Sequence, residues 1–189
     1  MAENIWNGHS EILMTQQRVN EIVKECVRQE ESCEFTAVGM YIWQKSAQVW
    51  KNTFIVAPIV LGGLASSQIL IEVSASWTNY VAAALALLAG FFPAIFEALG
   101  MDMRVREIGT SASEFTNLRD RFRQLANIGR DMEFEELHPA FEQLMDRMDA
   151  ARTNAPPLPE KYFEKGRMKI EAGDYLFKVD DHHRNDGQQ

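Results

Sequence analysis

Residues 52–71, NTFIVAPIVLGGLASSQILI, and residues 73–96, VSASWTNYVAAALALLAGFFPAIF, are separated by a single ionisable side chain, Glu72, in a chain that is 24% charged overall. The first run has 20 uncharged positions and the second 24. A helix rising about 1.5 Å per residue needs about 20 residues to cross a hydrocarbon layer of about 30 Å. Two spans are therefore expected, at about 53–71 and 79–98, joined by a polar turn that carries Trp77 and Tyr80. Amphipathic rings of that kind settle at the headgroup level. A buried hairpin of a water-soluble protein is the competing reading, and the length of both runs stands against it.

Lys45 and Lys51 precede the first span, Arg104 and Arg106 follow the second, and the turn has no basic residue. Both termini are then expected on the cytoplasmic side of the plasma (inner) membrane. Residues 1–30 are charged throughout and contain no apolar core of a signal peptide, so the first span is expected to act as its own signal anchor.

A 189-residue chain with about 45 residues assigned to the bilayer leaves a polar helical portion on either side. The expected fold is an all-α membrane protein, a two-transmembrane hairpin with a cytoplasmic bundle of amphipathic helices. Its divisions by composition are 1–51, 52–99, 100–152 and 153–189. The formal charge of −8 and the pI near 5.1 exclude nucleic acid as a main partner, since phosphate recognition needs a concentrated basic face. The two cysteines, Cys26 and Cys33, sit seven apart on one helix face and read as packed thiols.

Along the N-terminal portion, Ser10 is a candidate cap, followed by Ile12, Val19, Ile22, Val23, Cys26 and Val27 at helical spacing. A polar interruption, Gln29-Glu30-Glu31-Ser32, suggests a break near Glu31–Cys33 before a second run through Phe35, Val38, Tyr41, Ile42 and Val49. Beyond the spans, an amphipathic helix is expected from Ser111 or Ser113 to Gly129. A seam at Leu137, Phe141, Leu144 and Met148 follows it. The run Thr153-Asn154-Ala155-Pro156-Pro157-Leu158-Pro159 breaks helix, a short helix is expected at 160–171 ending at Gly173, and 180–189 reads as a disordered tail.

Inside the spans, Gly62 and Ser66, and Gly63 and Ser67, form small-x-x-x-small pairs, and Pro58 is expected to kink the helix. Ala82, Ala86, Gly90 and Ala94 recur every fourth residue and make a smooth strip for close helix association. The candidate helix-packing residues are therefore Gly62, Gly63, Ala82, Ala86, Gly90 and Ala94. The candidate pore-lining set is Ser66, Ser67, Gln68, Glu72 and Glu97. Glu72 either rings an axis in an oligomer or marks a membrane boundary, and Glu97 admits the same two readings.

No enzyme signature occurs: no Walker loop, nucleotide-binding glycine fingerprint, Gly-x-Ser-x-Gly or His-Glu-x-x-His. No catalytic residue, cofactor or metal site is expected. His182 and His183, beside Asp180 and Asp181, read as part of a solvated tail.

Several features together carry a family resemblance. They are the lead Glu30-Glu31-Ser32-Cys33-Glu34-Phe35 and Trp50-Lys51 into the first span; the close of the second span at Phe91-Phe92-Pro93; the helix from Phe115 to Ile128; and Ala155-Pro156-Pro157-Leu158-Pro159 followed by Tyr162-Phe163. The chain resembles the SLATT domain, the SMODS- and SLOG-associating two-transmembrane effector domain of bacterial conflict systems, over about residues 20–178. The resemblance implies an oligomeric pore-forming or membrane-disrupting effector in antiviral defence. No sensor domain is evident in this sequence, so the trigger is expected from a separate cytoplasmic sensor protein. The lipid bilayer and further copies of the chain are the other expected partners. The alternative of a different class is a non-conducting membrane anchor or assembly module that recruits a cytoplasmic partner.

Overall fold

The computed structural model describes residues 2–70 and 76–174; side chains at 2–12, 65–70, 76, 78, 79 and 82 are outside that description. Among the described residues every regular element is helical: α1 (Ala2–Leu70), α2 (Ser76–Ala98), α3 (Met101–Ile128), a 3-10 turn at Gly129–Asp131, α4 (Phe134–Asn154) and α5 (Glu160–Glu171). They fall into two compact units, one made of residues up to Ile42 with those from Ile108 onward, the other of Trp43–Glu107.

The first unit is held by a seam of apolar residues alternating three and four apart. On α1 the seam runs through the buried Val19, Val23, Cys26, Cys33, Ala37 and Met40, with Gln29 completing the line. Ile108, Ala112, Phe115, Leu118, Phe122 and Leu125 form the matching stripe on α3. Leu137 and Met148 enter from α4, while Phe141 and Leu144 are half-buried. Each large side chain removed from water here contributes about 1.5–3 kcal/mol.

The expected break near Glu31–Cys33 is absent, because Gln29 is not a polar interruption of the seam. It sits 7% exposed with both its amide oxygen and its amide nitrogen hydrogen-bonded. Arg152 Nη2 donates to Gln29 Oε1 at 3.1 Å, and Gln29 Nε2 donates to Glu25 Oε1 at 2.7 Å. A polar group in a core is tolerated once its donors and acceptors are matched. Helix α1 therefore runs through the polar stretch, and it begins at Ala2, ahead of Ser10, the cap expected from the sequence.

Helix α3 begins at Met101 and not at Ser111 or Ser113, the starts expected from the sequence. Gly100 takes a positive φ of 56°, its N–H donates to the Glu97 carbonyl at 3.0 Å, and its carbonyl accepts from Arg104 N–H at 3.0 Å. One residue thus closes α2 and opens α3. The stripe then extends backward through Ile108, with Val105 also buried, across residues whose charges had masked it.

Helix α4 stops where Ala155 precedes Pro156, and its last carbonyls are met by the Ala155 N–H on Ala151 at 3.0 Å. Helix α5 starts after Pro159, whose carbonyl accepts from Tyr162 N–H at 2.9 Å, and it ends before Gly173 at φ 83°. Gly129 and Gly173 end helices as expected. Two further contacts tie α4 to its neighbours: Glu114 of α3 takes a two-pronged bond from Arg147 (2.7 and 3.1 Å), and the Arg18 guanidinium lies over the Phe134 ring at 5.7 Å. The 180–189 tail, with His182 and His183, lies outside the described residues.

Candidate functional site

The second unit inverts the pattern of the first. From Thr53 to Leu64 of α1 and from Trp77 to Leu99, no residue whose side chain is described is buried, although nearly all are apolar. Ile59 is 71% exposed, Leu87 65% and Phe91 59%. Leaving such a surface against water forfeits about 25 cal/mol for each Å².

The pairing of α1 with α2 in this unit uses one narrow face of each helix. Phe54, Ala57, Pro58 and Leu61 are half-buried on α1, and Leu85, Ala89, Phe92 and Phe96 are half-buried on α2. The Phe54 and Phe92 rings meet with centroids 5.7 Å apart and planes tilted by 55°. The α2 set steps by four, three and four residues and the α1 set falls at i, i+3, i+4 and i+7, both the spacing of a helix-packing stripe. Lys51, ahead of the apolar portion of α1, pairs with Asp102 at the start of α3.

The small-residue strip lies away from that face. Ala86, Gly90 and Ala94 are exposed, and a Cβ added at Gly90 would meet nothing within 4 Å. Gly62 and Gly63 on α1 are equally open. Ala82 belongs to α2, but its side chain is outside the described residues. A shallow groove of about 530 Å³ also runs along α1, lined by Val49, Thr53, Val56 and Val60 among others.

Of the pore-lining candidates, Glu97 is exposed in the last turn of α2. Ser66, Ser67 and Gln68 belong to α1, with side chains outside the described residues, and Glu72 lies outside them altogether. Pro58 and Pro93 are both accommodated within continuous helix. Among the described residues no single helix is long and apolar enough to cross a membrane. One pair bent by 41°, Ala83–Ala98 with Met101–Asp131, meets that requirement only when taken together.

Two buried thiols lie in the first unit. Burial pushes the Cys26 thiol up to about 11 and the Cys33 thiol to about 12, the latter against the opposing pull of Arg152 and Arg119. Cys33 Sγ rests 3.6 Å from Met148 Sδ. Such thiols are poor nucleophiles because almost none is thiolate at neutral pH. Among the described residues no cluster of three or more His, Cys, Asp or Glu could hold a metal ion.

Two features of the molecule escape a reading of the sequence. The aromatic pair Phe54–Phe92 could have been sought among apolar stripes, but several stripes of equal quality compete. The approach of Gly39 to Gly166 leaves a signal, a glycine inside each of two helices, that becomes specific only once both helices are placed. The chain matches no family model, no characterised protein and no solved structure.

Proposed function

We propose that this protein is an oligomeric two-transmembrane effector of the SLATT type, which permeabilises or disrupts the cell's own membrane when a separate cytoplasmic sensor signals. The supporting observation is the inverted surface of the second unit, where large apolar side chains on α1 and α2 face outward and none of those described is buried. Contiguous apolar surface of that kind marks a membrane or a protein partner. The uncharged runs 52–71 and 73–96 and the basic residues flanking them favour the membrane. The hairpin alone pairs through a seam one stripe wide, too little to enclose a conduit, so permeation would require several copies.

Full-length protein reconstituted in liposomes loaded with a self-quenching dye tests this reading. Release that rises more steeply than linearly with protein density supports an oligomeric pore or disruptor. Stable membrane association without release or any change in potential would leave the non-conducting anchor. Failure to partition into the lipid would reject both.

A further inference from the structure

Helices α3 and α4 carry a second pair of stripes at the edge of the core, which on α3 shares the buried Leu125 with the core stripe. Arg121, Leu125 and Ile128 on α3 face Ala140, Leu144 and Arg147 on α4 across an open groove of about 480 Å³. Both sets have the four-then-three spacing of a coiled-coil seam. Ile128 is 56% exposed, and Ala140 and Leu144 are half-buried. Its lining joins the apolar Leu125, Ile128, Ala140 and Leu144 to two glutamines and the guanidinium groups of Arg121 and Arg147.

The two guanidinium groups differ. Arg147 is held by Glu114, while Arg121 has only a 3.4 Å bond to the neutral Gln124 and makes no ion pair among the described residues. Exposed Glu136, on the same side of α4, is likewise in no ion pair among the described residues. The Glu114–Arg147 bond fixes the antiparallel register of the helices. Seven residues on along α3 and seven back along α4, Arg121 stands level with Ala140, one turn from Glu136.

We propose that this groove is a self-association surface whose occupant is the same α3–α4 face of a second copy of the chain. A two-fold axis parallel to the helices lays α3 of one copy over α4 of the other at the same level, as in a four-helix bundle. Each Arg121 then comes within reach of Glu136 of the second copy, twice by symmetry, and the apolar floors close on each other. The charges that lack a counterpart inside one chain supply it across two, which favours a second copy over a partner of another kind. The inference deepens the oligomeric reading above by naming the surface.

Its test uses the full-length chain in detergent, with mass measured against concentration. Arg121→Glu and Glu136→Arg should each weaken self-association about tenfold or more, and the double reversal should restore it. Ile128→Asp should weaken it without rescue by either reversal. Both charged positions are at the surface, so matched far-UV circular dichroism is expected for all variants. A wild-type mass of one chain, single reversals without effect, or a double reversal no better than the singles would each overturn the proposal. The readout is mass alone, so a successful rescue beside absent dye release would remove the pore reading, and beside failure to partition the membrane reading, and in either case leave this surface standing.

Discussion

Gly166 of α5 meets Gly39 of α1 backbone to backbone: a Cβ placed on Gly166 would stand 3.0 Å from the Gly39 amide nitrogen and 3.1 Å from its Cα. An interior glycine costs a helix about 1 kcal/mol relative to alanine, and α5, at 12 residues, is too short to be stable alone. The docking of α5 therefore depends on a contact that only this pair permits. Buried Tyr162 and the Phe35–Phe163 ring contact at 6.3 Å complete it.

Gly166→Ala should consequently loosen α5 despite the better helix propensity, because the added methyl meets main chain that cannot rotate away. Overpacking of this kind costs about 1–3 kcal/mol. Gly39→Ala should be milder, since its nearest obstacle at 2.9 Å is the Leu158 Cδ2 end of a flexible side chain. Amide hydrogen exchange in α5 measures both; faster exchange in Gly39→Ala than in Gly166→Ala would reverse the order and disprove the account.

The Arg147–Glu114 bond makes a pH prediction with a definite sign. Hydrogen bonding to Arg147 holds the Glu114 carboxyl below its ordinary value of 4.5, against a smaller upward push from burial. A carboxyl depressed in the folded state contributes stability above the unfolded value and loses it as pH falls through the folded one. Glu114→Gln should lower stability to denaturant at pH 7, and the gap to wild type should close as pH falls below about 4.5. The effect is small because the Glu114 and Arg147 side chains are 33% and 44% exposed. A gap that persists unchanged at low pH would assign the loss to packing.

Cys26 and Cys33 offer a probe of opening, both being 0% exposed with thiols raised by burial. At pH 8 a soluble thiol reagent should label neither until the bundle opens. Met148→Ala removes the side chain against Cys33, creating a cavity at a cost of about 2–5 kcal/mol. Labelling of Cys33 should accelerate with the loss of global stability, whereas fast labelling of wild type would mean that the core is open to solvent.

Turn chemistry made the C-terminal half legible: Pro156 and Pro159 bracket the α4–α5 connection, and Gly129 and Gly173 end their helices. Charge patterning misled elsewhere. Gln29 looked like a break because nothing local reveals that Arg152, 123 residues away, satisfies it. The charges at Asp102, Arg104 and Arg106 hid the start of α3, since the apolar line there has only Val105 and Ile108 to show. In α2 the strip Ala86, Gly90, Ala94 and the seam Leu85, Ala89, Phe92, Phe96 were both readable as packing faces. Only the position of Phe54 decides which of them the chain itself uses.

That distinction separates two substitutions on α2. Phe92 touches Phe54 within the chain, while an added side chain at Gly90 meets open space. Phe92→Ala should weaken α1–α2 pairing inside one copy, by less than the about 3–5 kcal/mol typical of a fully buried phenylalanine because Phe92 is only half-buried. Gly90→Leu should leave that pairing intact. If copies associate in the bilayer through the small-residue strip, the same leucine blocks the close approach on which packing between membrane helices relies. Crosslinking between copies in liposomes should then fall for Gly90→Leu, while a fluorophore pair reporting the α1–α2 distance stays at its wild-type value. Crosslinking equal to wild type would assign the strip to lipid contact, and a lengthened α1–α2 distance would show that Gly90 serves the hairpin instead.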